Sequence, residues 1–284
     1  MTILKANDHE IDLTTPRVVG IVNVTTDSFY DGGRTGTNAA IAQGMRMLDE
    51  GAAIVDVGGE STRPGATPVD ERDEIARVIP VVEALARAGA CISVDTMKPV
   101  VMRAALAAGA SMINDVRALQ APGAIDVLTS SSAAVCLMHM QGEPRTMQQA
   151  PAYADVVAEV RAFLQRRAQA CVDAGIARER IVVDPGFGFG KTLAHNLDLL
   201  GNLGEIAALG FPVLAGLSRK SMIGAITGRD VDARLAGSIA ATLAAAVRGA
   251  RLLRVHDVRD TVDALAVLGA VDGWPGSGKR WTEQ

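Results

Sequence analysis

Arg254 and His256 stand two positions apart in the run LLRVHD, near the end of the chain. Residues two apart on a β-strand project from the same face, so both side chains are predicted to point the same way. An arginine beside a histidine suits the binding of an anion such as phosphate. An ion pair between Arg254 and a neighbouring carboxylate is the alternative, but the apolar neighbours of Arg254 favour an inward-facing anion site.

A second basic group, Ser218-Arg219-Lys220-Ser221, lies between an apolar run and a predicted helix. Free backbone N–H groups and the helix dipole favour an anion at the start of a helix, and the two cations add to this field. Lys220 is therefore predicted to hold a phosphate or a carboxylate. Ser218 alone would serve equally well as the cap of the helix.

Acidic and amide side chains end three further apolar runs, at Asp95, Asn114 and Asp184. Together they suit the edge of a flat heterocycle that is rich in N–H donors and carbonyl acceptors. A single aspartate in such a position is often only a helix cap or a loop anchor. The repetition of the pattern along the chain favours a shared binding site.

Asp184 opens the segment DPGFGFGKT, which resembles a phosphate-binding loop at first sight. That motif requires glycine where this chain has Pro185. We interpret the glycines as a turn that lets the backbone approach a flat ligand. Phe187 and Phe189 are predicted to be apolar walls of the site, with core packing an equal alternative for each.

The sequence shows few of the patterns that are typical of a metal site or of a covalent nucleophile. His139 and His256 fall at predicted strand ends, but no third ligand stands at a zinc spacing. The Asn23 oxygen, together with a phosphate ligand, would suit a hard cation such as Mg²⁺. No serine lies in a nucleophile elbow, so the site is predicted to act by positioning and charge stabilisation.

Eight short apolar runs predict the strands that position these residues, at 18–24, 54–59, 91–95, 111–116, 134–139, 181–186, 213–218 and 252–257. Alanine-rich segments with helical spacing separate them, including one predicted over 154–173. Strict alternation implies parallel strands, and eight units close into a barrel whose strand ends share one mouth. The predicted fold class is α/β, a single-domain (β/α)8 TIM barrel over 1–272, with a short N-terminal β segment before the first barrel strand. Residues 273–284 are predicted to form a flexible tail, with anchoring by its two Trp residues as the alternative.

The amino-acid composition restricts the classes of protein to which this chain can belong. Aromatic residues make up 3% of the chain and hydrophobic residues 49%, so the core must be built from Ala, Val, Ile and Leu. The net charge is −4, and the charged residues are distributed along the chain without basic blocks. This distribution argues against nucleic acid as a binding partner. The three cysteines suit buried thiols of a reduced cytosol. Without a signal peptide or a long apolar run, a soluble cytoplasmic protein with no membrane partner is predicted.

The segments NVTTDSFYDGG, DVGGESTRPG, SVDT, INDV, LMHMQG, DPGFGFGK, SRKSMIG and RVHDV resemble the dihydropteroate synthase family, in the family's order along nearly the whole chain. The resemblance implies a barrel enzyme that joins 7,8-dihydropterin-6-ylmethyl diphosphate to 4-aminobenzoate in folate biosynthesis. It also implies Mg²⁺ as cofactor and a homodimer.

Site residues carry over from the family at matching positions of this sequence. The implied pterin contacts are Asp95, Asn114, Met138, Asp184, Lys220 and Arg254. Asn23, Arg254 and His256 would hold the diphosphate, with Asn23 also a metal ligand. The implied 4-aminobenzoate site consists of Phe29, Thr62, Arg63, Pro64, Phe189, Lys220 and Ser221. Catalytic roles would fall to Asp27, Asp95, Asp184, Lys220, Arg254 and His256.

The chain departs from the family's common NVTPDSFSDGG at Thr26, where proline is usual, and at Tyr30, where serine is usual. Proline fixes φ and restricts the unfolded loop, an effect of roughly 0.4–1 kcal/mol. We therefore expect Thr26 to lower the population of the closed loop. This affects substrate affinity or drug response, not the reaction itself.

Two other functions fit the same barrel. Pterin-dependent methyltransferases share the fold, and a pterin-binding paralogue without turnover is a non-enzymatic alternative. A methyltransferase would not need SRKS and RVH to secure a diphosphate, and a paralogue would be expected to lose Asn23, Asp27, Lys220 or Arg254. All of these residues are present, so the sequence favours the synthase.

Overall fold

The computed structural model describes residues 2–24, 34–61, 65, 67–143 and 145–274. Its strands are β1 (Ile3–Ala6), β2 (His9–Asp12), β3 (Arg17–Asn23), β4 (Ile54–Gly58), β5 (Ile92–Asp95), β6 (Met112–Asp115), β7 (Ala134–Met138), β8 (Ile181–Asp184), β9 (Val213–Ala215) and β10 (Ala250–Val255). Its helices are α1 (Arg34–Asp49), α2 (Glu71–Arg87), α3 (Pro99–Ala107), α4 (Ala124–Thr129), α5 (Val156–Asp173), α6 (Leu193–Gly201), α7 (Leu203–Ala207), α8 (Ser221–Thr227), α9 (Leu235–Val247) and α10 (Val258–Asp272).

Strands β3 to β10 close into a barrel in the order β10-β3-β4-β5-β6-β7-β8-β9. Neighbouring strands run parallel, with Asn23 opposite Gly58 and Gly58 opposite Asp95. The eight predicted barrel strands are confirmed, each with ends no more than three residues from the predicted ones. The predicted α/β class and TIM barrel architecture are confirmed with them.

The two faces of each barrel strand have different neighbours. Val55 and Val57 of β4 pack in the layer between the strands and the helices. Ile54 belongs to the separate cluster inside the barrel. Because side chains alternate along a strand, Asp56 shares the inward face with Ile54. Polar residues therefore lie inside the barrel toward the carboxyl ends of the strands.

The predicted N-terminal β segment is an antiparallel hairpin of β1 and β2. Leu4, Ile11 and Leu13 pack against the inward-facing apolar residues at the amino-terminal ends of the barrel strands. The Asn7 side chain donates to the Ala110 carbonyl at 2.8 Å and secures the hairpin tip. Full burial of each leucine contributes roughly 1.5–3 kcal/mol. The hairpin thus closes the end of the barrel opposite the mouth.

The helices cover the outside of the barrel and turn the chain toward each next strand. Helix α5 confirms the helix predicted over 154–173, with Asp155 as its N-cap accepting from Ala158 N at 2.9 Å. Helix α10 ends at Asp272, and Trp274 packs against the core. The rest of the predicted tail, 275–284, lies outside the described residues.

Cys91, Cys136 and Cys171 are buried free thiols, as predicted. Burial raises the pKa of Cys91 and of Cys171 to about 11, which keeps both thiols protonated near neutral pH. Within the described ranges, no helix has the length and apolar character needed to span a bilayer.

Candidate active site

Arg254 lies at the centre of a hydrogen-bonded group inside the barrel mouth. Its Nε donates to Asp56 Oδ2 at 2.6 Å and its Nη2 donates to Asp95 Oδ2 at 2.9 Å. Asn114 Nδ2 donates to the same Asp56 oxygen at 3.2 Å. Arg254 therefore points inward, as predicted, and it also forms the ion pair with neighbouring carboxylates that was the alternative. Four strands, β4, β5, β6 and β10, contribute one residue each.

Burial and neighbouring charges shift the pKa values of Asp95 and Arg254 with different consequences for their ionisation. Burial raises the pKa of Asp95 to about 7, with Arg254 opposing the shift. Burial alone would lower the pKa of Arg254, but the Asp56 and Asp95 carboxylates raise it above its usual value. The guanidinium therefore stays charged, while Asp95 exchanges its proton near neutral pH.

Asp56 is a site residue that the sequence reasoning missed. It is 1% exposed and stands in the middle of the apolar run IVDVG. A carboxylate in the interior of a buried strand was the available signal, because such a group needs a partner across the barrel. Among the described residues, Asp56 Oδ1 and Asn114 Oδ1 are buried and have no hydrogen-bond donor. These two acceptors suit a ligand that carries N–H groups.

Asp184 and Lys220 form the neighbouring part of the mouth. Asp184 Oδ1 accepts from Gly186 N at 2.7 Å, and burial raises the pKa of the carboxyl while Lys220 opposes the shift. Lys220 Nζ donates to the Phe187 carbonyl oxygen. Burial lowers the pKa of Lys220 to about 8. Met138 stands opposite Asp184 in the barrel register and is buried beside it.

The two phenylalanines of the β8 to α6 segment have different environments. Phe187 is fully buried in the core cluster outside the barrel strands, so core packing is the correct alternative for it. Phe189 is half-buried, and its ring centroid lies 4.7 Å from Lys220 Nζ. This position beside Lys220 leaves the Phe189 ring available to a ligand, and its role as an apolar wall of the site stays a prediction.

His256 directly follows the last residue of β10, one residue beyond the strand that carries Arg254. The chain leaves the strand there to enter α10. The Ser218 hydroxyl lies 3.0 Å from His256 Nδ1 and accepts from the His256 backbone N–H. Lys220, not Ser218, occupies the N-cap position of α8. Ser218 thus orients the imidazole and does not cap the helix.

Two charged residues beside the site have local partners. Arg219 forms an ion pair with Asp257 at 2.5 Å. Asp115 accepts from Arg117 N and Leu119 N, both at 2.8 Å, and therefore anchors a loop. The loop-anchor alternative is thus correct for Asp115, whereas its neighbour Asn114 points into the mouth.

Asn23 stands at the rim, exposed at the end of β3. A Cβ atom placed on Gly58 would lie 3.9 Å from Asn23 Oδ1 and 3.5 Å from Asp95 Cβ, so the two side chains flank one glycine. Within the described ranges, no three acids, histidines or cysteines cluster as metal ligands. A magnesium ion bound at Asn23 would therefore take most of its oxygen ligands from a substrate and water, which Mg²⁺ commonly does.

Ser221 is exposed and begins α8, next to Lys220. The remaining predicted site residues lie outside the described residues: Asp27, Phe29, Thr62, Arg63 and Pro64, together with the family departures Thr26 and Tyr30. The described site therefore comprises the residues predicted to bind the pterin and the diphosphate, with Phe189, Lys220 and Ser221 from the predicted 4-aminobenzoate set.

Comparison with known proteins relates this mouth to one enzyme family. The family model for pterin binding enzymes matches residues 19–256. The chain is 52% identical over 269 residues to the dihydropteroate synthase of Haemophilus influenzae, which covers 94% of this chain and 98% of that protein.

Two solved structures are similar along almost their whole length. Xanthomonas albilineans dihydropteroate synthase with 4-aminobenzoic acid superimposes with a TM-score of 0.90 at 55% identity, covering 96% of this chain and 99% of that chain. Burkholderia cenocepacia dihydropteroate synthase complexed with 7,8-dihydropteroate gives a TM-score of 0.88 at 49% identity, covering 96% and 97%.

Proposed function

The chain belongs to the dihydropteroate synthase family of pterin-binding enzymes, and we propose that it condenses 7,8-dihydropterin-6-ylmethyl diphosphate with 4-aminobenzoate to give 7,8-dihydropteroate and diphosphate. The observation that carries this proposal is the buried group of Arg254, Asp56, Asp95 and Asn114 inside the mouth. Its free acceptors match the N–H groups of a pterin, and its cation lies where a leaving anion would need one.

The pterin would occupy the inner part of the mouth. Asp95, Asn114 and Asp184 offer acceptors to its N–H groups, and Lys220 offers a donor to its carbonyl group. Met138 would contact the ring face from the floor of the site. The carboxylates also favour any positive charge that develops on the ring, because a desolvated site strengthens such interactions.

Bond cleavage places negative charge on the departing diphosphate. The bond between the pterin methylene carbon and the diphosphate oxygen breaks, and the electron pair leaves with the oxygen. Arg254 would stabilise that charge from the mouth, and His256, oriented by Ser218, would do so from the rim. Fixed donors of this kind need no reorganisation during the step.

The neutral amine of 4-aminobenzoate then attacks the methylene carbon, forms the C–N bond and releases its proton to solvent. No general base is required, because an aromatic amine attacks through its free lone pair. Phe189 would bound the aminobenzoate ring, and Lys220, whose Nζ lies 4.7 Å from the Phe189 ring centroid, would contact both substrate rings and hold them in register. Positioning of two reactants is worth several kcal/mol of barrier.

Asn23 would hold Mg²⁺ together with the diphosphate oxygens, and the bound ion would supply further charge neutralisation to the leaving group. The donor chemistry fits, since one amide oxygen at an exposed rim leaves room for substrate and water ligands. The metal requirement is therefore part of the proposal.

Two further properties belong to the proposal. Exposed apolar side chains at the ends of α9 and α10, including Val247, Val267 and Val271, support a homodimer. Light scattering of the purified chain should then give twice the mass of one chain. The buried free thiols support a cytoplasmic location, which fractionation of the cells checks.

Diphosphate release by the purified chain tests the function. We expect release only when the pterin diphosphate, 4-aminobenzoate and Mg²⁺ are all present, with dihydropteroate formed in equal amount. Release without 4-aminobenzoate would indicate simple hydrolysis, and a requirement for a methyl donor would indicate a methyltransferase. Either result would contradict the proposal, as would the absence of release under all conditions.

A further inference from the structure

Lys191 is buried behind the mouth, in the segment that joins β8 to α6. The residue is 3% exposed, and its Nζ lies 3.0 Å from the carbonyl oxygens of both Gly186 and Phe189. The same nitrogen lies 3.0 Å from His139 Nδ1 and 3.4 Å from the His139 carbonyl oxygen. Four acceptors from two loops therefore surround one cation.

These acceptors are neutral, which is unusual for a buried ammonium group. Removal of such a group from water costs several kcal/mol, so a carboxylate partner would be expected. Burial lowers the pKa of Lys191 to about 7, and Asp184 opposes the shift through space. Burial and the Lys191 charge lower the pKa of His139 to about 3. Because the imidazole is neutral, its Nδ1 can accept a hydrogen bond. Lys191 therefore binds backbone carbonyls and this imidazole, and not a counter-ion.

The backbone that Lys191 holds carries groups that face the substrates. Gly186 has a φ of +68°, and a Cβ on it would overlap the His139 carbonyl oxygen. Phe187 supplies the carbonyl that accepts from Lys220, and Phe189 places its ring beside Lys220 Nζ. A displacement of the 186–189 turn would therefore move Phe189 and Lys220 together.

Neighbouring aromatic residues fix the acceptors of Lys191 from the α5 side. The His139 ring meets Phe163 edge-on, with centroids 4.9 Å apart. The Tyr153 hydroxyl donates to the Gly190 carbonyl oxygen at 2.8 Å. These contacts hold the His139 imidazole and the Gly190 end of the turn without a contribution from the residues of the mouth. The groups that surround Lys191 therefore have fixed positions.

We propose that Lys191 is a positioning residue for the 4-aminobenzoate part of the site, an inference that rests on the proposed function. Its side-chain nitrogen binds the Gly186 and Phe189 carbonyls beside His139 and so fixes the Phe189 ring and the acceptor of Lys220. Lys191 itself does not contact the substrates. Its removal loosens the walls of the site and leaves the group around Arg254 in place.

Steady-state kinetics of Lys191→Met test this role, because methionine keeps most of the length of the side chain without its charge. We expect the KM for 4-aminobenzoate to rise about tenfold or more, since small displacements of positioning groups cost up to about 10²-fold. At saturating 4-aminobenzoate, kcat should stay within about threefold of wild type. Lys5→Met is the matched control, because Lys5 is an exposed lysine on the hairpin at the other end of the barrel.

His139→Leu is a milder second variant that removes one acceptor and leaves Lys191 in place. It should raise the same KM several-fold. A folded Lys191→Met enzyme with the wild-type KM for 4-aminobenzoate would overturn the proposal. If Lys191→Met does not fold, a wild-type KM in His139→Leu overturns it. An inactive wild-type chain would contradict the proposed function and this role together, whereas an active wild type with unchanged variants contradicts this role alone.

Discussion

The two ends of the barrel interior are built from the same strands with opposite chemistry. Ile54 and Leu252 face inward at the amino-terminal end and pack under the hairpin. Asp56 and Arg254 stand two residues further along the same two strands and form an ion pair at 2.6 Å. Two residues span roughly 7 Å of strand. The apolar residues that stabilise the fold and the polar residues of the site therefore lie in adjacent layers of side chains. We call the apolar end, closed by Leu4, the plug, and the polar end the mouth.

The largest effect is expected in the mouth, from Arg254→Ala. Loss of the guanidinium removes the charge that we propose stabilises the leaving diphosphate, so kcat per folded molecule should fall about 10²- to 10³-fold. Diphosphate release, corrected for the folded fraction from circular dichroism, measures this. Arg251→Ala on the same strand is the control, because Arg251 bonds to the carbonyl of its neighbour Ala250 and has no partner in the mouth group. Normal turnover in Arg254→Ala would remove Arg254 from the mechanism.

The matching change in the plug is Leu4→Ala, which should affect stability and not turnover. Leu4 is fully buried, so truncation should lower the free energy of unfolding by about 2–5 kcal/mol. Urea unfolding measures the loss, and kcat per folded molecule should match wild type. Ile3→Ala serves as the control, since Ile3 is 43% exposed on the same strand. A large fall in kcat for folded Leu4→Ala would show that the two ends are coupled.

A smaller effect in the mouth is expected from Asp56→Asn. The amide keeps the shape of the side chain but weakens the hydrogen bonds to Arg254 and to the ligand. Calorimetric titration with the pterin diphosphate should show about tenfold weaker binding, since a bond to a charged group contributes roughly 1.5–3 kcal/mol. Asp115→Asn offers the comparison, because Asp115 anchors a loop beside the mouth. Equal affinities for wild type and Asp56→Asn would restrict Asp56 to a structural role.

The pH dependence should give an effect no larger than that of Asp56→Asn. Because the pKa of Asp95 is raised to about 7, the carboxylate is ionised at pH 8 and mostly protonated at pH 6. The kcat/KM for the pterin diphosphate should therefore fall as the pH is lowered, by about tenfold between these values.

Glu74→Gln supplies the test of that assignment. Glu74 is one of the carboxylates that raise the pKa of Asp95, after Asp56. Its neutralisation should move the acid limb of the kcat/KM profile to lower pH. A limb that stays at the wild-type position would show that another group controls it.

Local patterns were sufficient to predict the barrel and most of the mouth. The alternation of apolar runs with helical segments predicted eight strands, and Asp95, Asn114 and Asp184 were found because each is the last or next-to-last residue of its strand. Asp56 was missed because it lies inside a strand, where the run appears apolar. The loop residues Thr62, Arg63 and Pro64 stay predictions from the family resemblance.

Contacts between distant segments could not be predicted from local patterns. Lys191 meets His139 across 52 positions of sequence, and Ser218 meets His256 across 38. Local spacing offered capping for Ser218 and, for the Lys191 segment, a glycine turn that approaches a flat ligand. Both partnerships depend on which loops the closed barrel brings together, and that information appears only in three dimensions.

A crystal structure of this chain with 7,8-dihydropteroate tests most directly the claim that the mouth binds the pterin. We expect the pterin ring inside the mouth, with its N–H groups within hydrogen-bond distance of Asp95, Asn114 and Asp184 and the aminobenzoate ring beside Phe189. Product bound with its pterin ring away from Asp95, Asn114 and Asp184, for example against Gln43, Arg46 and Arg259 in the groove that His256 also lines, would contradict this claim.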